Sequence, residues 1–281
     1  MADIYNEIFR RSSKTYFYSS ILFPKEIKDK VARLYAFVRI ADDFVDSNPQ
    51  NIEAYLKFKN GYYSQKSGKL PNDNSIESGV ISAFVELEKS LDFNPNWVAA
   101  FFQSMDMDLE SQDQKYITIE DTERYIYGSA SVIGLFMSKI LELDPIAYQA
   151  AESLGMAFQY INFIRDINED IDLKRNYFPL IEMKRFGLED LTFETTNKKK
   201  VQFKEFIKLQ IEHYYKWQKI AETGFYLIPK KYLIAIKTAS DMYKWTAEQI
   251  FNDPFIVYKT KIKPKKRRIL LRGALNAFSN Y

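Results

Sequence analysis

The chain has 281 residues, of which 46% are hydrophobic, 9 are glycine and 9 are proline, so it can bury a sizeable core and favours long helices over turns. Its single histidine, His213, and its lack of cysteine exclude thiol catalysis, zinc–thiolate sites and clusters of histidine ligands. The net charge of +3 is too small to indicate a nucleic-acid partner.

Helical periodicity extends through most of the chain. Between Pro24 and Asp46, apolar residues recur at steps of three and four, and a proline suits the first turn of a helix. The predicted elements, in chain order, are a helix from Pro24 to Asp46, a polar linker at 70–79, helices at 80–109, 118–142 and about 146–171, an irregular stretch at 172–200, and two or three helices within 201–252. Neither β-alternation nor a solenoid-type repeat is present. We therefore predict an all-α protein with a single domain spanning 1–281.

No segment has the length and apolarity of a membrane span. The first residues lack the apolar core of a signal peptide, and no run of 18 apolar residues occurs. The run from Lys259 to Arg272 contains eight basic residues, which is typical of a solvated tail, of contact with anionic lipid or of contact with a diphosphate. We expect a cytoplasmic protein, with Lys259–Arg272 as the candidate for peripheral contact with an anionic membrane.

An acidic stripe runs along the first predicted helix. Four residues share one face of it, within about 60° at 100° per residue: Tyr35, Arg39, Asp42 and Asp46. Asp42 follows Val38 by four residues, at a position where an inward apolar stripe would continue. An ionised carboxylate there is costly unless it is paired or bound to a metal.

A second acidic stripe lies on the helix predicted at about 146–171. Four residues fall within about 80° of one another: Gln159, Asn162, Asp166 and Asp170. Carboxylates one turn apart repel each other and destabilise an isolated helix by a few tenths of a kcal/mol. Two facing stripes of this kind would hold Mg²⁺ ions that bridge to phosphate oxygens, because Mg²⁺ prefers oxygen ligands. The alternative for either stripe alone is a solvated acidic face.

Several sequence blocks, in order and at matching spacing, resemble the squalene/phytoene synthase family. They are Ser13-Lys14-Thr15-Tyr16, the segment Leu34–Arg39 followed by Asp42–Asp46, the small-residue segment Tyr125–Gly134, and Gln159–Asp170 followed by Arg175–Pro179. The resemblance is firm over about 9–180 and loose beyond, and the pattern Asn-x-x-Arg-Asp-x-x-Glu-Asp at Asn162–Asp170 is its most specific part. The chain departs from the family at Val38, where cysteine is frequent, and at Ser131, where glycine is frequent.

The resemblance implies an isoprenoid-synthase-type helical bundle with a central active-site cavity. It also implies a prenyltransferase that condenses two prenyl diphosphate substrates head to head through a cyclopropyl diphosphate, with Mg²⁺, or alternatively Mn²⁺, assisting the loss of diphosphate. The implied metal ligands are Asp42, Asp46, Asn162, Asp166 and Asp170. The implied catalytic residues are these four aspartates with Tyr35, Arg39, Tyr125, Arg165 and Tyr177. The implied substrate-binding residues are Ser13, Lys14, Tyr16, Arg39, Ala130, Gly134, Gln159, Asn162 and Arg165.

Most of these assignments have a structural alternative. The three tyrosines could pack in the core, and Gln159 and Asn162 could form hydrogen bonds between helices. The small residues of 125–134 could admit either a prenyl chain or another helix. We expect His213, which lies far in the sequence from any acidic motif, to be structural or on the surface.

The resemblance leaves the product open. Two C20 diphosphates without a reductant would give phytoene, two C15 diphosphates without a reductant would give dehydrosqualene, and two C15 diphosphates with NADPH would give squalene. We expect phytoene and hence a role in carotenoid biosynthesis, with squalene or dehydrosqualene as alternatives. Chain-elongating prenyltransferases and terpene cyclases fit less well, because the second motif reads RDxxED. A non-catalytic assembly factor of the same family would be expected to have lost carboxylates, and all four are present.

Overall fold

The computed structural model describes residues 2–12, 14–69, 73–109 and 116–278. Within these ranges the chain contains no β-strand, which confirms the all-α prediction. The helices of the described residues are α1 (Ala2–Ser12), α2 (Lys14–Ser20), α3 (Lys25–Asp46), α4 (Ile52–Lys66), α5 (Ile76–Leu91), α6 (Pro95–Leu109), α7 (Ile119–Ile126), α8 (Val132–Ile140), α9 (Tyr148–Asp172), α10 (Leu180–Arg185), α11 (Phe193–Lys198), α12 (Lys200–Glu222), α13 (Lys230–Asn252) and α14 (Lys266–Phe278).

Helix α3 forms where the periodicity predicts it. Pro24 precedes its first turn, and the residues that point into the core repeat at helical spacing. They are Ile27, Val31, Ala32, Leu34, Ala36, Phe37, Ala41 and Val45. Asp42 and Asp46 are not among them, so the acidic stripe lies beside the apolar face of α3 and not within it.

The prediction of one helix at 80–109 is wrong. The chain leaves α5 at Asp92, whose φ of 51° is left-handed, and α6 begins only at Pro95. Pro95 cannot donate a backbone hydrogen bond, so it suits the first turn of α6 and could not lie within a helix that continued from α5. The stretch 172–200, predicted to be irregular, contains the two short helices α10 and α11.

Helices α7 and α8 are joined without a break by one π-helical turn, Tyr127–Ser131. The turn lies against α6, where the hydroxyl group of Ser104 donates a hydrogen bond of 2.9 Å to the carbonyl oxygen of Tyr125. A methyl group added at Gly128 would stand 2.1 Å from the carbonyl oxygen of Ala100. Glycine therefore allows the backbones of α6 and the π-turn to approach.

Two hydrophobic clusters make up the core. The first surrounds α3 and includes buried residues of α1, α4, α5, α6 and α8. The second surrounds α9 and includes buried residues of α12 and α13. Helix α9 packs against α8, α12 and α13, while α3 packs against α1, α4, α5 and α6. Each of the two predicted acidic stripes is thus fixed by its own part of the core.

Glycines also bring α9 close to the π-turn and to α8. A methyl group added at Gly134 would stand 2.2 Å from the carbonyl oxygen of Ala151, and one at Gly155 would stand 2.4 Å from that of Ala130. The space beside Gly134 is therefore filled by another helix. At Gly134 this favours the alternative that the small residue admits another helix, because a side chain there would meet α9.

In the described part of the chain, no helix combines the length and the apolarity that a bilayer crossing needs.

We expect Gly134→Ala to lower the free energy of unfolding by about 1–3 kcal/mol, the usual cost of overpacking. The matched control is Gly79→Ala on α5, where an added methyl meets nothing within 4 Å. Alanine is the better helix former, so the control should gain about 0.5–1 kcal/mol. Urea unfolding followed by circular dichroism measures both, and equal effects at the two positions would refute the close packing inferred at Gly134.

Candidate functional site

The acidic face of α3 carries one arginine between its carboxylates. Nη1 of Arg39 lies 2.5 Å from Oδ2 of Asp42, and Nη2 lies 2.5 Å from Oδ1 of Asp43. The Asp42 side chain is 33% exposed. Burial raises the pKa of Asp42 to about 8, and repulsion from Asp46 adds to this effect more than Arg39 offsets it.

The acidic face of α9 has the same composition. Arg165 donates two hydrogen bonds to Asp166, from Nε at 2.8 Å and from Nη2 at 2.5 Å. Asp170, one turn further on, has its pKa raised well above the normal range, first by burial and then by repulsion from Asp166. Asp46 of α3 contributes to the same shift. Since this repulsion requires proximity, the two predicted stripes approach each other where Asp46 and Asp170 lie.

Arg175 connects the two helices. Its Nη1 lies 2.5 Å from Oδ1 of Asp46, and its Nη2 donates a hydrogen bond of 2.8 Å to the carbonyl of Val45. The guanidinium is almost fully buried, and it opposes the rise in the pKa of Asp170. Arg175 belongs to the family-like segment Arg175–Pro179, and its place in the sequence indicated no role for it. Its position shows that it compensates the negative charge at the end of both stripes.

A buried carboxylate that the sequence analysis missed lies beneath the stripes. Asp108 of α6 accepts hydrogen bonds from Tyr125 at 2.9 and 2.7 Å, and from Tyr177 at 3.2 Å. Burial raises the pKa of Asp108 to about 6, while the charge of Arg175 limits the rise. The signal was available, since Asp108 lies among the buried apolar residues of α6, at a position where the helical periodicity predicts an apolar side chain.

Aromatic rings form a wall beside the stripes. The ring of Tyr16 lies 6.2 Å from that of Tyr35, 5.9 Å from that of Phe158 and 5.6 Å from that of Tyr243. Phe158 and Tyr243 stack at 4.2 Å. Arg165 lies close enough to affect the pKa of Tyr16 and of Tyr243. The wall, defined as these four rings, therefore adjoins the charged groups of α9.

Two lysines that precede α14 also reach the site. Nζ of Lys261 lies 3.3 Å from Oδ1 of Asp166 and forms an ion pair with Glu169. The pKa of Lys263 is lowered, chiefly by burial and also by the positive charges of Lys261 and Arg165. Part of the predicted membrane segment Lys259–Arg272 is thus turned toward the acidic site.

The remaining predicted residues are distributed as follows. Gln159 is half-buried on α9, and Ala130 is buried in the π-turn with its carbonyl against Gly155. Ser13 and the side chain of Lys14 lie outside the described residues. His213 lies apart from both stripes, where its Nε2 is 2.9 Å from Oε1 of Glu182.

The residues of the site fit a divalent cation. Among the described residues, the buried Oδ1 of Asn162 has no hydrogen-bond partner, although amide oxygens normally have one. Asp42 and Asp170 are disfavoured as ions by burial and by their acidic neighbours. A cation with a preference for oxygen ligands would relieve both conditions. As they stand, the described side chains do not gather three or more acidic or histidine groups as metal ligands.

Comparison with known sequences gives one family over almost the whole chain. The family model of squalene/phytoene synthases matches residues 9–271. A 15-cis-phytoene synthase of Enterobacter agglomerans is 29% identical over 246 residues, which cover 83% of this chain and 80% of that protein. A 15-cis-phytoene synthase of Pantoea ananas is 26% identical over 280 residues, covering 95% and 89%. A 4,4'-diapophytoene synthase of Staphylococcus haemolyticus is 25% identical over 185 residues, covering 65% and 64%.

Comparison with solved structures identifies the same fold. A dehydrosqualene synthase crystallised with a ligand superposes with a TM-score of 0.79 at 21% identity, covering 98% of this chain and 94% of the other. A squalene synthase from Alicyclobacillus acidocaldarius superposes with a TM-score of 0.73 at 17% identity, covering 90% and 94%.

In metal-free protein, we expect Asp170→Asn to raise the free energy of unfolding at pH 8 by roughly 0.5–2 kcal/mol. The unfolded chain loses the Asp170 proton as the pH rises above about 4, whereas the folded state retains it because its pKa is raised. Asp170 therefore lowers the stability of the fold as the pH rises. At pH 4 or below, variant and wild type should be alike. Urea unfolding in EDTA at both pH values measures the difference.

The matched control is Asp166→Asn on the same helix. Asp166 accepts two hydrogen bonds from Arg165 and is paired with Lys261, so its loss should lower stability at pH 8. Effects of the same sign in both variants would contradict the distinction between a repelled and a paired carboxylate.

Proposed function

The chain belongs to the squalene/phytoene synthase family, whose members are prenyltransferases, and from this we propose that it joins two geranylgeranyl diphosphates head to head to form phytoene. We further propose that residues 1–281 act as one catalytic domain. The observation that carries the proposal is the meeting of two acidic stripes, from α3 and α9, beside a wall of aromatic rings.

The acidic stripes support a site for Mg²⁺ and diphosphate. We assign Asp42, Asp46, Asp166, Asp170 and the amide oxygen of Asn162 as the metal ligands. Bound there, Mg²⁺ would withdraw charge from a departing diphosphate, as a Lewis acid does. The carboxylates that burial and repulsion disfavour as ions would then be held in their charged form by the cation.

Basic side chains around the stripes support binding of the diphosphate itself. Arg39 pairs with Asp42 and Asp43 through its two terminal nitrogens, while its buried Nε has no partner among the described residues. Arg165 and Lys261 both lie against Asp166. These cations can turn from carboxylate to phosphate oxygens when a diphosphate and its metal ions arrive, because phosphate accepts strong charge-assisted hydrogen bonds.

The aromatic wall supports the carbocation chemistry. Departure of a diphosphate leaves an allylic cation, and the faces of aromatic rings attract cations where water is excluded. The rings of Tyr35, Phe158 and Tyr243 are tilted against that of Tyr16, and Phe158 stacks on Tyr243, next to the charged groups of α9. We assign them to hold the prenyl chain beside the leaving group and to keep water from the cation.

Tyr125 and Tyr177 have a different role in this proposal. Both hydroxyl groups donate to Asp108, and their rings stack at 5.2 Å. Hydroxyl groups held in this way are directed away from the substrate. A free hydroxyl group could otherwise attack the cation as a nucleophile. We assign both tyrosines to the floor of the site, where Asp108 positions them.

The balance of the reaction determines whether a reductant is needed. Loss of one diphosphate and one proton joins the two substrates as a cyclopropyl diphosphate, and loss of the second diphosphate and another proton gives phytoene without a reductant. The similarity to 15-cis-phytoene synthases at 29% and 26% identity favours the C20 substrate. The similarity to a 4,4'-diapophytoene synthase favours dehydrosqualene, from two C15 substrates, as the second candidate. Squalene would require NADPH in addition.

A non-catalytic assembly factor of the same family is the remaining alternative. The four carboxylates and the cations that accompany them, Arg39, Arg165 and Arg175, argue against this alternative, because such a charged cluster is costly to bury without a use. An assay of diphosphate release separates the two roles.

We expect purified protein to convert geranylgeranyl diphosphate to phytoene only when Mg²⁺ or Mn²⁺ is present. The measurement is product analysis after incubation with the C20 or the C15 diphosphate, with and without NADPH, before and after treatment with EDTA. Turnover at the untreated rate in EDTA would contradict the metal site. Preferential conversion of the C15 diphosphate would replace phytoene by dehydrosqualene, or by squalene if NADPH is required.

We expect Lys261→Met to weaken binding of inorganic pyrophosphate with Mg²⁺ by about tenfold, since one charge-assisted contact contributes about 1.5–3 kcal/mol. The matched control is Lys259→Met, because Lys259 pairs with Asp253, which lies outside the acidic stripes. Isothermal titration calorimetry measures both. Equal affinities in the two variants would mean that Lys261 serves only its ion pairs in the fold.

A further inference from the structure

The last helix presents apolar side chains to solvent. At 100° per residue, Leu271, Leu275 and Phe278 share the side of α14 opposite to its packed face. Their exposures are 65%, 51% and 87%, whereas Ile269, Gly273 and Asn276 of the packed face are buried. We call the three exposed residues the α14 face. Large apolar residues are usually exposed singly, so three on one helix face indicate a surface that something else covers.

The chain segment that carries the α14 face has charge of one sign. After Asp253 the chain contains eight basic residues and no acidic one. Some of these cations are engaged in the fold, since Lys259 pairs with Asp253 and Lys261 with Glu169. Arg267 and Arg268, in the first turn of α14, are exposed and flank the α14 face. Arg268 also lies 4.6 Å from the ring of Trp245. The predicted membrane segment therefore divides into a first part at the site and a second part at the surface.

The α14 face lies directly behind the aromatic wall. Helix α14 packs against α2 and α13, which carry Tyr16 and Tyr243 of that wall. At Gly273, a methyl group would stand 2.8 Å from Leu22, which follows α2. The neighbouring Ile21 is 44% exposed. Only one layer of helices thus separates the α14 face from the candidate site.

We propose that the α14 face is a membrane-docking surface, with its apolar side chains inserted among acyl chains and its arginines at anionic headgroups. Basic amphipathic helices bind membranes in this way, with apolar burial and headgroup attraction acting together. Docking itself does not depend on the reaction. Its use, the exchange of apolar substrate and product with the bilayer, rests on the proposed function.

Charge argues against a second copy of the chain as the occupant. In a twofold dimer the same patch meets itself, so the arginines of one copy would approach those of the other. An anionic bilayer instead offers charges of opposite sign around an apolar interior. The two occupants therefore predict different results in a vesicle experiment and in a measurement of mass.

Vesicle flotation tests the docking. Wild-type protein should float with vesicles that contain about 30% phosphatidylglycerol in phosphatidylcholine, and much less with phosphatidylcholine alone or in high salt. The double variant Leu271→Glu, Leu275→Glu should lose at least tenfold in vesicle affinity. The matched control is Ile146→Glu with Val201→Glu, at sites that are 67% and 71% exposed. It changes the net charge by the same amount, so it should lose only the small part of the vesicle affinity that depends on net charge.

Cysteine labelling provides a second test, in case the double variant does not fold. The chain has no cysteine, so a single Leu271→Cys carries an environment-sensitive fluorophore at one place. Its emission should shift to the blue with anionic vesicles, and that of Val201→Cys should not. No vesicle binding by the wild type, an equal shift at both labels, or a stable dimer by light scattering that the double Glu variant abolishes would overturn the proposal. Turnover of detergent-dispersed substrate reports on the proposed function separately, because neither leucine belongs to the site.

Discussion

Mutual repulsion between carboxylates on α3 and α9 is the constraint on which the candidate site depends. Asp46 on one helix approaches Asp170 on the other, and burial makes their repulsion expensive. The fold holds them together because each helix is anchored in its own hydrophobic cluster. Arginines then offset much of the negative charge, with Arg39 on α3 and Arg175 between the helices. The negative charge that these arginines leave uncompensated would attract a divalent cation.

Asp108 performs the complementary task within the floor of the site. It lies on α6, and it receives the hydroxyl groups of Tyr125 from α7 and of Tyr177 from the segment after α9. One buried carboxylate thereby fixes three separate parts of the chain. The network is satisfied by neutral donors and by nearby Arg175, so it can stay buried without a metal. This distinguishes Asp108 from the carboxylates of the two stripes.

The aromatic wall separates two different surroundings. On one side are the charged groups of α9, including Arg165, and on the other are α2 and α13, with α14 outside them. Substrates of the proposed reaction have the same division, since each joins a charged diphosphate to a long apolar chain. A charged cleft and an apolar outer helix on either side of one layer of rings suit such molecules. The arrangement links the site to the α14 face without any large movement of the fold.

The sequence by itself determined the all-α class, the family, and the presence of an acidic stripe on each of two helices, because these depend on local periodicity and on residue type. It did not determine the break between α5 and α6, where Asp92 is left-handed, or the close packing of Gly134 on Ala151. It also missed the parts played by Asp108, Arg175 and Lys261. These residues act across 17 to 129 positions of sequence separation, through contacts made only when distant helices pack. Periodicity identifies which face a residue occupies, but tertiary structure decides what that face meets.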